Sequence, residues 1–344
     1  MEIYYLKKKK KISYKGLFIT TFLTHGGANI ISKFVVSPFE RIVIIRQIQP
    51  VFFKNILIQP NFTYSNIIKS IYKNQGLTSF WWGYNASIFN FLSFSFLRLL
   101  FHDQIKYNVS EQIKDKEYLK KNYFLTTFFL LYTSSSLSSA VSYPLDTIHN
   151  CMALNHENLK NKKLYKRGIC LFIYDQLLKK RIKNLYAGYS LCLFNFIPYL
   201  AITIKLNELF TKYFTEINFD KKNYSFQNDK KNNNNLNEEY KELFKKTPNF
   251  LSHIILGVLT GYIAQFATYP LETLRRKYQY RTMYEQNFIK LINHNNKLNT
   301  IKHKTFVNKI TNMYKGFTMH SLKLIPEYLI FSCFFYYVKN NMPI

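Results

Sequence analysis

Three short phrases recur along the chain, each a proline followed two residues later by an acid: SPFERIVIIRQ (Ser37–Gln47), YPLDTIHNCMA (Tyr143–Ala153) and YPLETLRRKYQ (Tyr269–Gln279). Each leads to an aromatic phrase around a glycine: FWWGYN at Gly83, LYAGYS at Gly188 and MYKGFT at Gly316. From Pro38 to Gly83 is 45 residues, from Pro144 to Gly188 is 44, and from Pro270 to Gly316 is 46. One proline phrase alone is an ordinary kink near a helix end. Two unlike phrases held at a near-constant interval three times are an internal repeat, and a repeat sets the architecture before any local reading.

The segments around these phrases are span-length and apolar. Asn122–Tyr143 is 22 residues without a charge, and Asn249–Tyr269 is 21 with His253 its only basic or acidic residue. Both reach the roughly 20 residues a membrane helix needs. Between Trp81 and Phe101 the one charge is Arg98; Gly188–Phe210 carries Lys205 and Glu208; Phe317–Val338 carries His320, Lys323 and Glu327; Gly16–Ile45 includes Lys33, Glu40 and Arg41. Six helices in three pairs result, each odd one ending in the proline phrase and each even one starting after the glycine phrase. Between them lie basic amphipathic stretches such as Asn66–Gly76, expected as short helices along the membrane surface. The repeats are placed at about 14–108, 120–214 and 248–342 of a single domain spanning 1–344. Residues 215–247, rich in Asn and Lys, are expected as a flexible loop.

Charge narrows the function. Lys and Arg number 48 against 19 Asp and Glu, a net +29, which points to nucleic acid, lipid head groups or an anionic solute. Six span-length segments and the absence of a recognition motif set nucleic acid aside. Cys151, Cys170, Cys192 and Cys333 are scattered, so neither a disulfide framework nor a metal site is expected. No paired catalytic groups stand out, so an enzyme is not expected, nor a cofactor. The basic N-terminus lacks the apolar core of a secretory signal and the Arg/Ser pattern of a transit peptide; any targeting information is expected to be internal.

A proline inside a membrane helix frees a backbone carbonyl, and ionisable residues beside it must face one another or water. Glu40, Asp146 and Glu272 each lie two residues past Pro38, Pro144 and Pro270. The threefold P-x-[D/E]-x-x-[K/R] phrase with its aromatic–x–glycine partner resembles the mitochondrial carrier family, over essentially the whole chain except Asn223–Pro248. The resemblance implies an all-α barrel of six transmembrane helices in three pseudo-symmetric repeats, with short matrix-side helices. It implies a matrix gate of ion pairs: Glu40 facing His149, Asp146 facing Arg275, and Glu272 facing Val43, where no partner stands. Gln47 and Gln279, nine residues past their prolines, are implied to brace these pairs. At the opposite, cytoplasmic gate the resemblance points to Asp103, Lys106, Glu208 and Lys339, an incomplete set.

Within that family the first repeat resembles the ADP/ATP carriers through ISKFVVSPFERI and NQGLTSFWWGYN, while RRKYQY departs from their RRRMMM. By the resemblance, Lys33, Asn90, Asn195, Phe196 and Lys323 line a solute cavity. A lysine at mid-membrane calls for an anion, which suits a nucleotide or other phosphorylated solute. Gly83, Gly188, Tyr314, Lys315 and Gly316 resemble the family's cardiolipin phrase. The expected protein is a monomeric, multi-pass exchanger of the mitochondrial inner membrane or another organelle's membrane. The alternative is a carrier-fold scaffold or receptor without transport, favoured by the incomplete gates.

Overall fold

The computed structural model describes residues 14–52, 63–112, 122–154, 169–178, 182–225, 250–295 and 306–341. The N-terminal targeting expectation therefore lies outside the described residues. The regular structure among the described residues is helical. Six long helices are α1 (Tyr14–Phe52), α3 (Tyr84–Gln112), α4 (Tyr123–Ala153), α6 (Tyr189–Ser225), α7 (Phe250–Asn295) and α9 (Phe317–Asn341). The shortest has 25 residues, about 37 Å of helix, enough to cross a hydrocarbon layer of about 30 Å. Tyr123–Ala153, Ile182–Phe210 and Ile254–Met283 are also apolar enough to do so by composition. Helix α6 continues through residues 215–225, where composition predicts loop; residues 226–247 lie outside the described residues.

Successive long helices pack side by side, and α9 packs back on α1, closing a six-membered ring. Helices α1, α4 and α7 also touch one another. Three short helices, α2 (Tyr64–Gln75), α5 (Ile169–Leu178) and α8 (Phe306–Met313), join the pairs. Helix α2 shows why they lie flat against the bundle. Ile67 and Ile71, one turn apart on one face, are buried with Ile42, Ile45 and Phe80, while Lys69 and Lys73 are exposed.

The recurrence of the two phrases has a hydrogen-bonding cause. Pro38 and Pro270 sit inside helices and leave the carbonyls of Phe34 and Phe266, four residues back, without their helical donor. The Trp81 indole N–H donates to Phe34 O at 3.0 Å, and the Tyr314 hydroxyl to Phe266 O at 3.3 Å. Both donors are the aromatic residue two before a phrase glycine. Around Pro144 the equivalent Tyr186 instead lies nearly parallel to the Tyr143 ring, centroids 6.3 Å apart. The tyrosines before Pro144 and Pro270 donate to Ala187 O at 2.8 Å and Lys315 O at 3.0 Å. Thr147 and Thr273, three residues past their prolines, donate to Leu185 O and Met313 O at 2.7 and 2.8 Å. In the first repeat that place is held by Arg41, which donates to Ser79 O.

The phrase glycines lie at contacts between repeats. Gly83, Gly188 and Gly316 have φ of 91°, 79° and 95°, a region that costs an L-residue about 1–2 kcal/mol. A methyl group at each would meet the carbonyl five residues past the next repeat's proline: His149 O at 3.1 Å, Arg275 O at 3.4 Å and Val43 O at 3.4 Å. The cycle closes, third repeat onto first. At Gly316 the methyl would also lie 2.8 Å from the Tyr269 hydroxyl. Gly76 provides a control, with φ 82° and open space around it. Gly316→Ala is therefore expected to lower the thermal unfolding temperature in detergent well beyond Gly76→Ala. Equal shifts would leave backbone strain as the whole effect. Gly257 and Gly261 serve closeness alone: the Tyr328 ring of α9 lies in the groove they leave, 2.7 Å from a methyl built at Gly257.

Candidate functional site: a charged floor beneath six helices

Where α1, α4 and α7 converge, the side chains past the three prolines form a connected polar network. Asp146 accepts from Arg275 Nη1 at 2.5 Å, Gln279 Nε2 at 3.0 Å and Asn150 Nδ2 at 3.3 Å. Gln279 also donates to the Thr147 hydroxyl at 3.2 Å and accepts from Asn150 at 2.9 Å. This joins the second repeat to the third, between the residues the sequence pairs. Glu40 lies 4.0 Å from His149 Nε2, whose Nδ1 is 3.0 Å from Gly83 O, so the first and second repeats meet more loosely.

The third edge is closed by a residue that spacing does not single out. Glu272 faces no base at Val43; its partner is Arg276 of its own helix, at 2.5 Å, and Gln265 donates to it as well. Arg276 Nη1 donates to Gln47 Oε1 at 2.7 Å, and Gln47 Nε2 to the Thr273 hydroxyl at 3.3 Å. Glutamine thus stands where a cross-repeat carboxylate partner would be, and Arg276 reaches it because it lies one residue beyond the expected place. The signal is present in the sequence as the doubled arginine of LETLRRK.

Two of the residues expected to line the cavity belong to this floor. Lys323, 8% exposed, donates to Glu40 at 3.0 Å, and Lys33 lies 3.8 Å from the same carboxylate. Two lysines share one glutamate; an ion pair at about 4 Å is worth about 4 kcal/mol of Coulomb energy at an effective dielectric near 20. Lys33 also lies 5.9 Å from the centre of the Phe91 ring. Asn195 Oδ1 and His320 Nδ1 are buried without a hydrogen-bond partner among the described residues. Asn90 is half-buried on α3, and Phe196 lies against Phe94 across the ring of helices, centroids 6.5 Å apart.

The residues expected at the opposite end are not brought together. Asp103 and Lys106 are exposed, with His102 the closest charge partner of Asp103 at 3.6 Å. Glu208 pairs with Lys205 of its own helix at 3.1 Å. The side chain of Lys339 lies outside the described residues. The proline end is thus joined across repeats, whereas Asp103 and Glu208 each have a partner on their own helix.

In the sequence Arg41 is only a charge near the break. In the fold it is 1% exposed and its guanidinium donates to Ala153 O at 2.9 Å, Gln75 Oε1 at 2.6 Å and Ser79 O, with its face 4.7 Å from the Trp82 ring centre. Nothing in one-dimensional spacing indicates that this arginine turns away from the axis into the contact between repeats.

The sequence pattern of the family described as mitochondrial carrier protein matches residues 15–112 and 246–343. Mitochondrial substrate carrier family protein P of Dictyostelium discoideum is 24% identical over 324 residues, 93% of each chain. A probable calcium-binding mitochondrial carrier of Caenorhabditis elegans is 23% identical over 90% of this chain, which spans about half (51%) of that relative. The mitochondrial coenzyme A transporter of Xenopus tropicalis is 22% identical over 267 residues, 76% of this chain and 68% of that one. With the pattern matched at both ends of the chain and six helices closed over a floor of proline-phrase charges, the protein belongs to the mitochondrial carrier family.

Proposed function

We propose that the protein exchanges a small anionic solute, a nucleotide or other phosphorylated metabolite, across the mitochondrial inner membrane by alternating access. The observation that carries this reading is the pair Lys33 and Lys323 sharing Glu40 at the floor of the bundle. A phosphoryl group entering from the end opposite the floor offers both lysines several charged oxygens at once, a better partner than half a carboxylate each. Releasing Glu40 from Lys323 weakens the floor where it already holds loosely, so binding and opening are coupled. The similarity to a coenzyme A transporter and the first repeat's likeness to ADP/ATP carriers support the phosphorylated class.

In this reading the three repeats are the moving units. Pro38, Glu40, Gln47, Pro144, Asp146, His149, Pro270, Glu272, Arg275, Gln279 and the added Arg276 form the matrix gate. Asp103, Lys106, Glu208 and Lys339 act at the cytoplasmic gate, with Asn90, Asn195 and Phe196 beside the solute. The glycine turns at Gly83, Gly188 and Tyr314–Gly316 take cardiolipin head groups, and the protein works as a monomer.

Proteoliposomes preloaded with ADP, ATP, AMP, coenzyme A, phosphate or dicarboxylates test this. Uptake of a phosphorylated solute is expected, and a Lys33→Ala/Lys323→Ala double variant is expected to lose it. Uptake of nothing by folded protein would favour the second reading, a membrane scaffold or receptor that does not transport, for which the own-helix partners of Asp103 and Glu208 speak.

A further inference from the structure

Above the lysine floor lies a second polar tier that the gates do not use. Its members are Arg98 on α3, Tyr199 on α6 and Glu327 on α9, one from each even helix. On α3 the exposed apolar face is Phe89, Phe96 and Leu100; on α6 it is Phe194 and Ile197; on α9 it is Leu322, Ile325 and Leu329. At 100° per residue Arg98, Tyr199 and Glu327 point away from those faces, into the ring. At this level α3 and α6 approach across the ring, with Phe94, one turn before Arg98, and Phe196, three residues before Tyr199, 6.5 Å apart between ring centroids. Yet among the described residues neither Arg98 nor Glu327 has an ion-pair partner within 4 Å. Opposite charges held inside a membrane protein without a partner are costly, and they mark a place where something else is bound.

The height of the tier sets the size of its ligand. Glu327 is one turn, about 6 Å, beyond Lys323 on α9. Arg98 is 15 residues past Gly83, where Tyr199 and Glu327 are each 11 past their glycines, so it stands a further turn up and the tier spans about 6–12 Å above the lysines. The wall between is aromatic: Phe94 and Phe196 lie at 29° to each other, centroids 6.5 Å apart. A forked donor, a carboxylate acceptor and a phenol around an aromatic wall fit a flat ring with donors and acceptors on one edge. We propose that Arg98, Tyr199 and Glu327 form a base-recognition tier, in which Glu327 accepts an exocyclic amino group, Arg98 donates to ring or carbonyl acceptors, and Phe94 and Phe196 flank the ring. The inference rests on the phosphorylated-solute reading, which places the other end of the same molecule on Lys33 and Lys323. The solute is then a nucleotide, with a preference for bases that carry an amino group.

The test is a titration of the purified full-length protein with ATP, inosine triphosphate, inorganic tripolyphosphate and adenosine, followed by heat of binding. The readout is the ratio of ATP to tripolyphosphate affinity, because both carry three phosphoryl groups and changes in local charge largely cancel. ATP is expected to bind about tenfold tighter than tripolyphosphate, the size of one hydrogen bond to a charged group. Glu327→Gln and Arg98→Gln are each expected to collapse that ratio, and Glu327→Gln to remove the preference for ATP over inosine triphosphate. If either variant fails to fold, the other reads the same ratio. Equal binding of ATP and tripolyphosphate by the natural protein would overturn the tier. So would variants that shift both ligands together, upward without Glu327 and downward without Arg98; the phosphorylated-solute reading would survive either result. If neither polyphosphate binds, that reading fails and the tier with it, unless adenosine alone binds in a Glu327-dependent way. That last pattern would uphold the tier and remove the phosphate.

Discussion

Proteoliposomes carrying Arg275→Ala are expected to lose nearly all uptake of whichever solute the natural protein moves. The Arg275–Asp146 contact at 2.5 Å is the one ion pair of the floor made directly between two repeats' proline phrases without histidine, among the described residues. Both side chains are largely buried, 13% and 18% exposed. Removing the guanidinium leaves Asp146 with only the amides of Gln279 and Asn150. Taking one partner from a buried pair costs about 3–5 kcal/mol. A carrier alternates only if its two states are close in free energy, and a loss of about 3 kcal/mol from one of them shifts the balance more than a hundredfold. Asp146→Asn is expected to do the same. The exchange Asp146→Arg with Arg275→Asp restores the contact with reversed sign and is expected to recover part of the rate. Single variants that retain more than half the natural rate would remove this pair from the gate.

The second large effect concerns stability. Arg41→Leu is expected to lower the unfolding temperature in detergent clearly, although Arg41 takes no part in the charged floor. Its guanidinium fills a slot among three segments: Ala153 at the end of α4, Ser79 before α3, and Gln75 at the end of α2. Leucine would leave the Ala153 carbonyl without this donor, at about 1–3 kcal/mol, while Ser79 O keeps the Trp82 N–H at 3.0 Å. Arg41→Lys keeps the charge but replaces a planar fork with a point, so an intermediate loss is expected. A lysine variant as stable as the natural protein would mean that charge alone, not the three-way fork, holds the repeats together here.

How much of the molecule is legible in its sequence follows a physical line. Residue spacing reports which face of a helix a side chain occupies, so the pairs Asp146–Arg275 and Glu40–His149, and the glutamines at Gln47 and Gln279, are readable from spacing and resemblance alone. Spacing says less about which partner a long side chain selects once it arrives. Arg276 answers Glu272 from one residue further on, Lys323 folds down onto Glu40, and Arg41 leaves the axis for Ala153 and Ser79. Those choices are made by packing. The extension of α6 past residue 214 escapes composition for a related reason, since an Asn- and Lys-rich stretch reads as loop even where a helix is already running. The tier of Arg98, Tyr199 and Glu327 is hidden in one dimension because its members are scattered over three segments and meet only when the ring closes.

The three glycine turns have a mechanical meaning. Each repeat is laced within itself by side chains, through Trp81, Tyr143, Tyr269, Tyr314 and the threonines, yet at Gly83, Gly188 and Gly316 it meets its neighbour backbone to backbone. Interlocked side chains act like gear teeth and resist sliding; bare peptide against bare peptide acts like a plain bearing. Stiff units that meet closely at such turns can shift past one another there over small angles. The side-chain contacts that must give with them are the Arg41 fork and the buried cluster of Ile44, Ile48, Ala153 and Tyr280. On the reading proposed above, interior residues set what is carried and, through Glu40, when the floor opens, while the same three turns let the repeats move.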